Sequence, residues 1–191
     1  RGQNSPAIVM WSLGNEIQEG AGGSGYNLKA KELIEWAKEA DSTRMLTIGS
    51  NAVKGGSNEH TNIGDQLTAV GGMSGTNYSN GANYDYLRNA HPDWIIYGSE
   101  TASSVNSRGV YTTRSSARLD GNKQLTSYDE SRVSWGALAS EAWYDVVTRD
   151  FVAGEYVWTG FDYIGEPTPA NGIDRGPKTS WPSPKNSFFG I

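Results

Sequence analysis

Five short apolar runs punctuate the chain: Ala7–Leu13, Met45–Gly49, Leu67–Gly71, Trp94–Gly98 and Gly154–Gly160. None alternates cleanly between apolar and polar positions. That is the pattern of strands covered on both faces, and so of a parallel sheet. Helical spacing fills the intervals. Ala30, Leu33, Ile34 and Ala37 recur on one face. So do Trp135, Leu138, Ala139, Ala142, Trp143, Val146 and Val147, which predicts a strongly amphipathic helix. A shorter helix is predicted over Tyr84–Ala90, ended by His91-Pro92. Strands alternating with helices predict an α/β fold.

Two polar stretches read as long loops: Thr101–Ser134, rich in Ser, Thr and Arg, and Gly165–Ser187, rich in Pro, Gly and Ser. Structureless loops of that length inside a compact domain are usually functional. Both follow strand ends, and parallel α/β folds carry their sites at the C-terminal ends of the strands.

Composition narrows the function classes. Hydrophobic residues make up 36% and charged residues 19%, which permits a packed core. A net charge of −5 argues against a nucleic-acid partner, since phosphate binding needs a basic surface. Cysteine is absent, so neither a disulfide framework nor a Cys-based metal site is expected. No apolar run is long enough to span a bilayer. The chain opens on Arg1 rather than Met, so the lack of a signal peptide says nothing about export. Seven Trp and ten Tyr stand out, because aromatic rings with a polar tip suit flat C–H faces such as those of sugars. Core packing is the better account of most of them.

Two strand ends carry candidate chemistry. The first run leads into Trp11-Ser12-Leu13-Gly14-Asn15-Glu16, and the fourth into Tyr97-Gly98-Ser99-Glu100. Parallel strands of one sheet bring their C-terminal ends to the same rim. Two carboxylates at one rim suit glycoside cleavage: one stays protonated to assist the leaving oxygen and the other stays ionised to attack. Each Glu alone reads equally well as a solvated strand-end residue. The two histidines are not spaced as a metal pair. His91 precedes Pro92 and reads as a turn residue, and His60 reads as solvated in a Gly/Asn loop.

The string Asn4-Ser5-Pro6-Ala7-Ile8-Val9-Met10-Trp11-Ser12-Leu13-Gly14-Asn15-Glu16 resembles the acid/base segment of glycoside hydrolase family 2, which includes β-galactosidases, β-glucuronidases and β-mannosidases. The string from Gly154 to Pro169, with Val157-Trp158-Thr159-Gly160-Phe161-Asp162-Tyr163 at its centre, is similar to the last barrel strand of the bacterial β-galactosidase branch. The resemblance runs nearly end to end. It implies that residues 1–191 are the fourth to eighth strands of a (β/α)8 barrel, a fragment of a larger multidomain enzyme. A closed barrel of this kind needs about 250 residues. Half a barrel exposes sheet edges and apolar helix faces, so the isolated chain is expected to aggregate or remain partly unfolded.

The resemblance also implies roles. Glu16 becomes the general acid and then the general base, and Glu100 the nucleophile of a double displacement. Asn15 binds the sugar 2-hydroxyl. Tyr78, in Thr76-Asn77-Tyr78, donates its hydroxyl to Glu100, and Trp158 floors the sugar site. Tyr78 and Trp158 also read as buried aromatics with satisfied polar tips. Asp162 and Glu166 read either as hydroxyl ligands or as loop caps.

The implied substrates are β-galactosides. Family β-glucuronidases carry an Asn-x-Lys before a Gly-Ile to pair the sugar carboxylate. This chain has Ser187-Phe188-Phe189-Gly190-Ile191 there, with Lys185 out of register. A desolvated carboxylate without a cation binds poorly, which disfavours that sugar. The alternatives left open are another family 2 glycosidase (β-mannosidase or β-glucuronidase) and a non-catalytic carbohydrate-binding fragment. No cofactor is predicted from this chain. Some related enzymes bind magnesium near the acid/base Glu, with ligands upstream of the residues present. Related enzymes occur inside bacteria and on their surfaces, so no compartment follows.

Overall fold

The computed structural model describes residues 2, 4–17, 25–51, 58–106, 109–111 and 125–160, without the side chains of 25–29 and 58–62. Among the described residues, five strands and four helices follow in the order β1 (Met10–Asn15), α1 (Gly25–Ala40), β2 (Met45–Ser50), α2 (Asn58–Ala69), β3 (Met73–Asn77), α3 (Gly81–Ala90), β4 (Ile96–Ala102), α4 (Ala139–Val147) and β5 (Val152–Trp158). The strands form one sheet in sequence order, and β1–β2, β2–β3 and β3–β4 pair in parallel. This is the α/β architecture with a parallel sheet that the apolar runs predict.

The chain divides into two compact units. The first comprises residues 1–100 and 149–155, and the second 101–148 and 156–191. The core of the first lies between the sheet and two helices. Ala30 and Ile34 of α1, Leu46 and Ile48 of β2, and Ile63 and Leu67 of α2 are all buried together. Trp11, Leu13, Ile17, Ala37 and Val70 pack around them. A fully buried aliphatic side chain is worth about 1.5–3 kcal/mol, so Ile34, Leu46, Ile48, Ile63 and Leu67 each stabilise the unit on that scale.

The third strand is not where the apolar run suggests. Leu67–Gly71 is the end of α2 and the turn after it, with Leu67 one helical turn from Ile63 on the core face. The real β3 reads Met-Ser-Gly-Thr-Asn, and four of its five residues are buried. Its residues are small for a steric reason. A Cβ on Gly75 would collide with the Ser99 side chain and the Ile48 carbonyl. Residues 58–60, expected in a loop with His60, belong to α2.

At the N-terminal edge of the sheet a polar clasp ties β1 to the α1–β2 turn. Asp41 accepts from the Trp11 indole at 2.9 Å, from the backbone and hydroxyl of Thr43 at 2.9 and 2.6 Å, and from Arg44 at 2.5 Å. Arg44 in turn donates to the carbonyls of Ile8 and Ser5. The Thr43 hydroxyl and then the Trp11 indole, with Arg44 adding to them, hold the Asp41 carboxyl well below the usual carboxylate range. A depressed folded-state pKa stabilises above the unfolded value of about 3.9 and is lost as pH falls through the folded value. Asp41→Asn is therefore expected to lower the melting temperature at neutral pH. It should also shrink the further fall seen below about pH 4. Thermal melts of both proteins across pH 2–7 check this; parallel curves would contradict it.

The second unit contains most of the stretch predicted as a long loop. It has a small core of its own, from Val105, Leu125 and Val133. An antiparallel bridge joins Ser104 and Arg132, and the Val105 N–H donates to the Ser131 carbonyl at 2.9 Å. Its helix α4 starts later than the Trp135–Val147 pattern implies, because residues 133–136 close a turn first. The Glu141 carboxylate accepts from the Leu138 N–H at the helix start. Ala142 and Val146 are buried, whereas Trp143, Tyr144 and Val147 are exposed.

Candidate active site

Strands β1, β3 and β4 deliver polar side chains to one place. Asn15 ends β1, Asn77 ends β3, and Glu100 lies inside β4 rather than beyond it. Register shifts help to aim them. Between Ser12 and Asn15, β1 advances one residue more than β2, and between Gly98 and Glu100, β4 advances one more than β3. An extra residue turns the side chains that follow it, a device common beside active sites. The result pairs Asn15 with Gly49 and Asn77 with Glu100.

Both carboxylates are tied to the neighbouring strand through the backbone. The Glu16 N–H donates to the Gly49 carbonyl at 2.9 Å. The Glu100 carbonyl accepts from the Tyr78 N–H at 2.7 Å. Glu16 and Tyr78 sit in the left-handed region, with φ of 51° and 55°. Such backbone costs roughly 1–3 kcal/mol per residue and persists where surrounding contacts enforce it, commonly at functional sites. Tyr78 is held by the pairing on one side and on the other by α3, whose first turn closes with reciprocal Asn80–Asn83 bonds.

At the centre is Asn77, fully buried. Its Nδ2 donates to Asn15 Oδ1 at 2.9 Å and to Glu16 Oε1 at 2.8 Å, and lies 3.5 Å from Glu100 Oε2. The two carboxylate oxygens share that one nitrogen, so they lie no more than about 6.3 Å apart, the sum of their two distances. On its far side the Asn77 amide oxygen accepts from the Ser99 hydroxyl at 2.6 Å. The Tyr78 hydroxyl donates to Glu100 Oε1. Gly49 lies beneath, where a Cβ would strike Asn15 Oδ1 and crowd Asn77 Oδ1 and Ser99 Oγ. A side chain at that position would push the polar group apart.

Of the residues singled out in the sequence, Asn15, Glu16, Tyr78 and Glu100 are thus brought into one hydrogen-bonded group. Trp158 is the last residue of β5 and belongs to the second unit, where it is half exposed. Asp162, Glu166, Lys185 and Ser187–Ile191 lie outside the described residues. Sequence reasoning missed Asn77 and Ser99. The only available signal was adjacency, since each directly precedes a residue already marked. His91 caps α3 and stacks on Trp94 with ring centroids 3.9 Å apart. Among the described residues no group of three or more His, Cys, Asp or Glu side chains is placed to hold a metal ion. None of the described helices is long and apolar enough to cross a membrane.

The arrangement joins two half-buried carboxylates through neutral donors. One of them also accepts from the Tyr78 hydroxyl. That combination can run paired acid and nucleophile chemistry on a substrate lying over the strand ends.

Comparison with known proteins matches this picture. The family model described as "Glycosyl hydrolases family 2, TIM barrel domain" matches residues 1–186. A β-galactosidase of Bacteroides ovatus is 30% identical over an alignment covering all of this chain and 25% of its own length. A putative β-glucuronidase of Formosa agariphila is 27% identical, with 87% of this chain and 16% of its own length covered. The chain therefore spans a quarter or less of these relatives. Among solved structures, a putative β-galactosidase from Bacteroides fragilis superposes with a TM-score of 0.61 at 16% identity, covering 95% of this chain and 25% of that one. A β-galacturonidase from Eisenbergiella tayi, solved with galacturonate, gives 0.56 at 18% identity, covering 84% and 27%. At such identities the likeness speaks for the fold alone.

Proposed function

The chain belongs to glycoside hydrolase family 2, and we propose that it carries the catalytic carboxylates of a retaining exo-β-galactosidase, Glu16 and Glu100. The observation that carries this reading is the Asn77 amide, which reaches Glu16 and Glu100 at once. Retaining enzymes separate their carboxyl groups by about 5–5.5 Å, and inverting enzymes by about 6.5–9.5 Å to admit a water. The upper bound of about 6.3 Å between these two oxygens favours retention.

In the first step Glu100 attacks the anomeric carbon. The Tyr78 hydroxyl donates to Oε1 and holds the carboxylate in place for that attack. The glycosidic C–O bond breaks, its electron pair stays on the leaving oxygen, and Glu16 supplies that oxygen with a proton. In the second step Glu16 takes a proton from water as the water oxygen attacks the same carbon. The ester bond to Glu100 breaks and returns its electrons to the carboxylate. Two inversions give net retention. Asn15 turns its amide oxygen to Asn77, so its NH2 is the end that faces the sugar 2-hydroxyl. That contact strengthens as positive charge builds at the anomeric carbon.

Galactose is favoured over glucuronate because the position that would pair a sugar carboxylate carries no lysine. The test is hydrolysis of nitrophenyl β-galactoside, β-glucuronide, β-mannoside and β-glucoside by the complete protein. Preferential cleavage of the galactoside is expected. Preference for another sugar keeps the chemistry and overturns the substrate. Failure to cleave any of them favours a carbohydrate-binding protein without catalysis.

A further inference from the structure

The Asn77 side chain sits in a position with no freedom. Its amide could be turned over only by pointing its oxygen at Asn15 Oδ1, Glu16 Oε1 and Glu100 Oε2, which are all acceptors. The Ser99 hydroxyl blocks the same flip from behind by donating to the amide oxygen. The NH2 group has two protons and three oxygen neighbours. The short distances, 2.9 and 2.8 Å, take both protons to Asn15 and Glu16, and the 3.5 Å neighbour on Glu100 is left with the remainder.

This has a chemical consequence for Glu16. A carboxylic acid protonated on Oε1 would set its O–H against the Asn77 N–H, donor to donor. Its transferable proton therefore belongs on Oε2. From this geometry we infer that Asn77 is a positioning residue of the reaction. It selects which oxygen of Glu16 carries the proton and holds Asn15 in the same frame, with Ser99 locking the amide that does so. The inference rests on the reading of Glu16 as general acid, and it adds a residue that acts through Glu16 rather than on the substrate.

The distinguishing readout is dependence on the leaving group. A substrate with an acidic leaving group, such as a dinitrophenyl β-galactoside, departs with little help from a proton, whereas an alkyl β-galactoside needs one. A defect in proton delivery therefore slows the alkyl substrate selectively. A general loss of structure slows both alike. In the complete protein, Asn77→Ala is expected to lower kcat/KM for the alkyl galactoside roughly 100-fold more than for the dinitrophenyl galactoside, the scale of a misplaced catalytic group. Ser99→Ala removes one hydroxyl and little volume, and it serves where the larger truncation fails to fold. It is expected to give the same selectivity at about a tenth of the size. Glu16→Ala measured alongside fixes which reading is at stake. If Glu16→Ala shows the selective loss and both Asn77→Ala and Ser99→Ala slow the two substrates equally or not at all, the positioning role is overturned and the general acid stands. If Glu16→Ala itself shows no selectivity, the assignment of Glu16 falls, and this inference falls with it.

Discussion

Glu100→Gln is expected to reduce kcat/KM on a nitrophenyl β-galactoside by about 10⁴-fold or more, equivalent to roughly 5.5 kcal/mol of transition-state stabilisation. A carboxamide of the same shape cannot act as the attacking oxygen anion, so the covalent route closes. The fold should barely notice. The Glu100 backbone carbonyl still accepts from the Tyr78 N–H, and the Tyr78 hydroxyl can donate to an amide oxygen as it does to the carboxylate. An unchanged melting temperature beside the lost rate separates chemistry from stability. A variant with near wild-type rate would remove Glu100 from the mechanism.

Glu16→Ala should behave differently, because the proposed mechanism uses Glu16 in both steps with opposite proton duties. Loss of general acid–base help is worth about 10²- to 10⁴-fold, felt in full where the leaving group is poor. With a dinitrophenyl galactoside the first step survives, and the second, which needs a base for water, becomes the slow one. Azide needs no base. Added azide should therefore accelerate turnover of Glu16→Ala on the activated substrate and leave a β-galactosyl azide, retained through two inversions. Nuclear magnetic resonance of the product reads the configuration. An α-azide would mean that a single displacement is operating, and no response to azide would point to another residue as the acid/base.

The two carboxylates were legible because each ends an apolar run, and a run that stops at a polar residue marks a rim in a parallel sheet. Tyr78 was legible through family resemblance, although its strand was not. The β3 residues are too small and polar to stand out, being selected for close approach to Ser99 and Ile48 rather than for hydrophobic burial. The eye goes instead to Leu67–Gly71, whose apolar character belongs to the core face of a helix. Short apolar runs cannot be assigned to strand or helix by period alone. The one-residue register shifts at Asn15 and Glu100 left no sequence trace either, and they decide which side chains converge. Asn77 escaped for a related reason. A buried asparagine at a strand end looks like a turn residue until its three oxygen neighbours, drawn from two segments far apart in the chain, are in place.

If Glu100 is the nucleophile, the sugar becomes covalently bound to it, and that bond can be trapped. A 2-deoxy-2-fluoro-β-galactosyl fluoride slows both steps by opposing positive charge at the anomeric carbon, while its good leaving group lets the first proceed. The complete protein should lose activity with time, gain the mass of one fluorogalactosyl group, and carry it on the peptide containing Glu100. A label on a different carboxylate, or continued turnover with no label at all, would contradict the account.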